Sequence, residues 1–149
     1  MPGYRDGMQI GIVAIVLASL VLVATILGVL HRSLSGRVRT ADGRSIQIDG
    51  VQFGGRATLL QFSSEVCAPC VATARVLDDI ARRTDAVAHV DLDVAERPEL
   101  AARFRVLQTP TTLILDGNGA VRARIGGAVR RELLVAELDR VLAGSAVAA

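Results

Sequence analysis

Cys67 and Cys70 are the only two cysteines in the chain, with Ala68 and Pro69 between them. Thiols at this spacing can close on one another and so pass two electrons to or from a disulfide in another molecule. The run ATLLQFS, Ala57–Ser63, has the apolar, β-rich character of a buried strand, and residues 71–83 have helical periodicity. The pair therefore falls at a strand-to-helix junction. Cys67 sits at the helix N-terminus, where partial positive charge favours thiolate over thiol. On this reading Cys67 is the attacking nucleophile, Cys70 resolves the mixed disulfide, and Pro69 restricts the backbone near the helix start.

Other uses of the pair fit less well. A structural zinc site wants four ligands, and only His31 and His89 remain to supplement the cysteines, so no metal site is expected. A purely structural disulfide closing so short a loop removes little chain entropy. Among neighbouring polar groups, Glu65 is a candidate for proton transfer but reads first as a solvated loop acid. His89 reads as a strand-surface residue. Asp91 and Asp93 share one strand face and read as solvated carboxylates. Gly126-Gly127 reads as a backbone-geometry requirement and not as a phosphate cradle.

The elements that must carry this pair come from 149 residues, enough for one ordinary domain plus an appendage. All 17 basic residues are arginines, so no lysine can tune the cysteines. Net charge is +2 and aromatics make up 3% of the chain, which argues against a basic or stacking surface for nucleic acid. The apolar excess lies at the N-terminus. Residues 10–30, IGIVAIVLASLVLVATILGVL, carry no charge, and as a helix they would span about 31 Å, the thickness of a bilayer's hydrocarbon core. A cleavable signal would have a shorter apolar region ending at a small-x-small site. This run is longer and ends at Leu30-His31-Arg32. It is expected to be an uncleaved single-pass anchor in the cell membrane. Arg32, Arg37 and Arg39 follow it, against Arg5 and the amino terminus before it. The positive-inside rule then favours a cytoplasmic C-terminal domain, with an extracytoplasmic one as the alternative if Arg37 and Arg39 belong to the folded domain.

Past the anchor, residues 31–36 form a short polar connector. The chain beyond Arg39 holds 13 basic and 14 acidic residues, close to neutrality. Residues 37–52 read as an irregular or hairpin-like lead-in with turns at Asp42-Gly43 and Asp49-Gly50. The helix after the cysteines places Val71, Ala74, Leu77, Ile80 and Ala81 on its apolar side. A strand is expected over residues 86–94, and a short helix over 98–104 opening at Pro98. A hairpin follows: strand 111–115, the turn Asp116-Gly117-Asn118-Gly119, and strand 120–125. The last helix, residues 130–142, presents Leu133, Leu134, Val135, Leu138, Val141 and Leu142. This order, β-α-β-α-β-β-α, implies a mixed sheet with helices on both faces.

With a Cys-x-Pro-Cys motif at its first strong strand–helix junction, the order resembles the thioredoxin family. Thr109-Pro110-Thr111 matches the loop whose proline is cis in that family and lies against the disulfide. Asp116-Gly117-Asn118-Gly119 matches the final hairpin turn, and Gly126-Gly127 matches the glycine site before the last helix. The resemblance covers residues 52–143. It leaves residues 1–9 as a flank, 10–30 as a transmembrane helix, 31–51 as linker and lead-in, and 144–149 as a flexible tail. It implies a thioredoxin-like α/β fold preceded by one transmembrane helix. Val66, Ala68, Pro69, Thr109 and Pro110 would then form the motif and substrate groove, with the backbone of Thr109 free to pair with an extended substrate.

The sequence also departs from the family. The familiar tryptophan before the first cysteine is Val66, the buried acid of the preceding strand falls at Gln61, and its usual lysine partner falls near Asp91. No insert separates the motif helix from the next strand, as it does in some cytochrome-maturation relatives. The resemblance implies a membrane-tethered protein-disulfide oxidoreductase acting on protein disulfide or dithiol substrates. It would need no cofactor beyond the cysteine pair and would draw on an unidentified electron donor or acceptor. The alternatives are an extracytoplasmic thiol oxidase, isomerase or cytochrome-maturation reductase, and a non-enzymatic binding module of the same fold.

Overall fold

The computed structural model describes residues 3–34, 38–40, 43 and 45–147. The chain divides into two compact units, Met1–Ser35 and Gly36–Ala149. The first is a single helix, α1 (Gly3–Leu34), longer at both ends than the apolar run that suggested it. Its large apolar side chains between Ile12 and Val29 are exposed, Ile15 at 71% and Val21 at 65%. That segment is long and apolar enough to cross a membrane. The side chains of His31 and Arg32, and all of Arg37 and Asp42, lie outside the described residues.

The second unit is built on a five-stranded sheet: β1 (Val38–Thr40), β2 (Ala57–Ser63), β3 (Val87–Asp93), β4 (Thr111–Asp116) and β5 (Val121–Gly126). Its spatial order is β1-β5-β4-β2-β3, with β2 and β3 parallel and every other pair antiparallel. The parallel pair is joined by α2 (Ala68–Arg83), as a parallel connection requires. β2 lies inside the sheet between β4 and β3, and all but its last residue are buried, so its apolar residues fall on both faces, with Thr58 and Gln61 buried among them. Ala57 and Leu59 face a core shared with Leu77 and Ile80 of α2 and with Leu134, Leu138, Val141 and Leu142 of α4 (Arg131–Val147). Leu60 and Phe62 face the opposite core, with Leu113, Leu115 and Leu100 of α3 (Pro98–Arg103). Helices thus cover both faces, as the resemblance implies.

Four expectations need correction. The lead-in is not irregular: β1 pairs with β5, Ser45 bridges Ala120, and Ile46 and Ile48 are buried in the second core. The folded unit therefore begins well before residue 52. In α2 the inward side is Cys70, Thr73, Leu77 and Ile80, and Val71 is 53% exposed. The helix starts by turning the second cysteine inward, which rotates Val71 outward. Among the described side chains of α4, Leu134, Leu138, Val141 and Leu142 are buried, while Val135 stands exposed. That helix also continues to Val147, through residues expected to form a flexible tail.

The hairpin turn is as its residues suggest. Gly119 has φ +73°, and a side chain there would strike the Ile46 carbonyl oxygen, so only glycine fits. Gly54 is equally constrained: a Cβ would lie 2.2 Å from the Ala57 carbonyl oxygen where the chain enters β2.

Candidate active site

Cys67 is the residue that precedes α2, with an extended backbone (φ −103°, ψ 93°) and no side-chain capping hydrogen bond. Its own N–H donates to the Ser64 carbonyl at 3.1 Å, and its carbonyl accepts from the Cys70 N–H at 3.0 Å. A tight turn therefore delivers it to the helix, and Pro69 occupies the first turn, where a missing N–H costs nothing. The two sulfurs are bonded at 2.06 Å, with Cα atoms 5.3 Å apart. No acid sits in the first turn, while Arg82 and Arg83 occupy the last, so the helix end at Cys67 keeps its partial positive charge.

The two cysteines differ in surroundings. Cys70 is 3% exposed, whereas Cys67 is half-buried and flanked by exposed Val66, Ala68 and Pro69. Beneath Cys70, Gln61 of β2 is fully buried and donates its Nε2 to the Cys70 carbonyl at 3.1 Å.

The second half of the site is the loop before β4. The Thr109-Pro110 peptide bond is cis, Pro110 is buried and Thr109 is half-buried. The Pro110 carbonyl accepts from the N–H of Gly127, which takes φ +81°. Gly126-Gly127 thus holds the proline loop from behind, a backbone role. The hydroxyls of Ser64 and Thr109 lie 3.4 Å apart, linking the turn before Cys67 to the residue before Pro110. The structure accordingly brings Val66, Cys67 and the first turn of α2 (Ala68, Pro69, Cys70) beside the loop of Thr109 and Pro110. Glu65 lies in the same turn and is exposed.

Sequence reasoning missed several neighbours of the site. Ser64 carries no motif signal, and Leu107, 92% exposed at the head of the proline loop, reads as an ordinary loop residue. Thr112 is fully buried opposite Gln61, a position that only the strand register reveals. His89, expected on the strand surface, has a side chain only 7% exposed and contacts Asp78 of α2 at 2.5 Å. Packing of α2 over the parallel β2–β3 pair covers it. Among the described residues no three His, Cys, Asp or Glu side chains converge as a metal site would require.

Comparison with known proteins bears on this geometry. The family model described as Thioredoxin matches residues 49–140. The thioredoxin of Mycolicibacterium smegmatis is 37% identical over 90 residues, covering 58% of this chain and 80% of that protein. Thioredoxin H5 of Oryza sativa subsp. japonica is 30% identical over 73 residues, covering 49% of this chain and 54% of that protein, about half its length. Among solved structures, Fasciola hepatica thioredoxin superimposes with a TM-score of 0.51 at 26% identity, covering 58% of this chain and 82% of that one.

Proposed function

This chain belongs to the thioredoxin family, and from that premise we propose that it is a thiol–disulfide oxidoreductase that reduces disulfides in protein substrates through Cys67 and Cys70 while tethered to a membrane by α1. The observation that carries the assignment of roles is the unequal burial of the pair at the start of α2. An intermolecular nucleophile has to be reached by substrate, and only Cys67 is accessible. Its position at a helix N-terminus favours the thiolate that attacks.

In the reducing direction the Cys67 thiolate attacks one sulfur of the substrate disulfide. The substrate bond breaks, its second sulfur leaves with the electron pair and takes up a proton, and a mixed disulfide remains. Cys70 then gives up its proton and attacks the Cys67 sulfur, so the first substrate sulfur leaves as a thiolate and is protonated. Two electrons have passed to the substrate, and the chain holds the Cys67–Cys70 disulfide. An outside dithiol reductant restores the pair, and the electrons pass through the two cysteines. Val66, Ala68 and Pro69 on one side and Thr109 and Pro110 on the other are the surfaces available to the substrate chain, with Thr109 offering backbone hydrogen bonds. Glu65 is the acid available for proton exchange at the rim.

Tethering rests on the exposed apolar side chains of residues 12–29, a length and composition that match a bilayer core. Arg39 lies in β1 and so counts with the folded domain, which leaves the charges flanking the helix near balance and the side of the domain open between cytoplasm and exterior. An outward domain would turn the reading toward oxidase or maturation chemistry, and a reporter fused after Ala149 distinguishes the two. The exchange reading is tested with Cys70→Ser, which should accumulate a mixed disulfide to substrate that Cys67→Ser cannot form. Equal trapping by both variants would refute the assigned roles.

A further inference from the structure

We propose that Gln61 is a positioning residue for Cys70, and that its side-chain carbonyl and the Thr112 hydroxyl together hold a water molecule between β2 and β4. This rests on the reading above, in which Cys70 resolves the mixed disulfide.

Gln61 donates its Nε2 to the Cys70 carbonyl, so a side chain from β2 holds the first turn of α2 to the sheet. The opposite amide orientation would set Oε1 against that carbonyl oxygen, so the acceptor fixes which way the amide points. Oε1 is then left buried with no partner among the described residues. Directly across the antiparallel pair stands Thr112, fully buried, whose Oγ1 also has no partner there. Residues opposed in this way share one face of the sheet, with Cβ atoms about 4.5–5.5 Å apart. The face is the one beneath α2 and α4, since Gln61 alternates along β2 with Leu59, and Thr112 along β4 with Ile114. A third buried unpartnered atom, His89 Nε2, lies on β3 in register with Leu59 and therefore on the same side.

Native interiors rarely leave such groups unpaired, and where protein supplies no partner an internal water does. A water between the two strands can donate to Gln61 Oε1 and share a hydrogen bond with Thr112 Oγ1. The amide is then held at both ends, by the water and by the Cys70 carbonyl. The Cys70 backbone is held with it while the Cys70 thiol loses its proton and its sulfur displaces substrate from Cys67. Both Gln61 and Thr112 are uncharged, so they act through position alone.

The test uses the full chain in detergent, reduced and then mixed with excess aromatic disulfide whose released thiolate absorbs visible light. Attack by Cys67 releases one aromatic thiolate and resolution by Cys70 releases a second, so the two steps are read separately. Gln61→Leu and Thr112→Val should leave the first release unchanged and slow the second, Thr112→Val by about three- to tenfold for one lost hydrogen bond and Gln61→Leu by at least as much, since the bond to the Cys70 carbonyl is lost too. Thr112→Val added to Gln61→Leu should slow it no further, since the bridge is already gone. Equal slowing of both releases, an unchanged second release, or additive effects would overturn the proposal alone. A wild-type chain with no second release would overturn the exchange reading and this proposal with it.

Discussion

Asp116 ends β4 with its carboxylate buried and shared among three donors: the N–H groups of Asn118 and Ala120 and the guanidinium of Arg122. Burial alone would raise its pKa, but the hydrogen bonds from Ala120, Arg122 and Asn118 outweigh that and hold it below the ordinary carboxylate value. A carboxyl depressed in the folded state stabilises the fold fully above its unfolded pKa, and the contribution is lost as pH falls through the folded one. Asp116→Asn should therefore cost about 1.5–3 kcal/mol at neutral pH in denaturant unfolding, and the difference from wild type should shrink as the solution is acidified. A difference that stays constant with pH would show that the charge is not the source. This residue was legible in sequence because the turn chemistry of Asp-Gly-Asn-Gly names it. Gln61 was legible only as a departure from the family pattern. Its hydrogen bond to Cys70 depends on a helix nine residues away along the chain, which no local pattern encodes. Ser64 and Thr112 were silent for the same reason: their partners lie across the fold.

The strands and helices were legible wherever burial is one-sided and local. The hairpin, α3 and the core of α4 appear where turn residues and apolar spacing put them. In α2 side-chain class is a poor guide to position. Thr73 is polar and faces the core, while Val71 is apolar and faces solvent beside the motif. The lead-in was undervalued because its strand is three residues long, yet the alternation of Ser45-Ile46-Gln47-Ile48 already placed two isoleucines on one side. Its contribution is measurable. Ile46→Ala should destabilise the folded unit by about 2–4 kcal/mol and lower the melting temperature, whereas an irregular linker would tolerate the change. Between elements, the Asp79 carboxylate of α2 bonds both Arg83 of its own helix and Arg131 at the start of α4. Hydrogen bonds from Arg131 and then Arg83 hold its pKa down. Because these groups are largely solvated, Asp79→Asn should change stability little, and a large loss in thermal unfolding would contradict that.

For the whole molecule, the account joins a membrane-length helix to a redox domain whose own composition is nearly neutral. Substituting Leu20→Arg and Val23→Arg in the full chain should add about 2.5–3.5 kcal/mol each to insertion, and should move the protein from carbonate-washed membranes to the soluble fraction. Unchanged retention would mean that α1 does not anchor it by spanning the bilayer. Tethering would set which substrates the cysteines meet, but the chemistry resides in the pair itself, so the central claim is best measured apart from location. That measurement is the turnover of insulin disulfides by the full chain in detergent with a dithiol reductant supplied, wild type against Cys67→Ser. The account predicts that wild type accelerates reduction and that Cys67→Ser falls to the rate of the reductant alone. Equal acceleration by the two chains would contradict it.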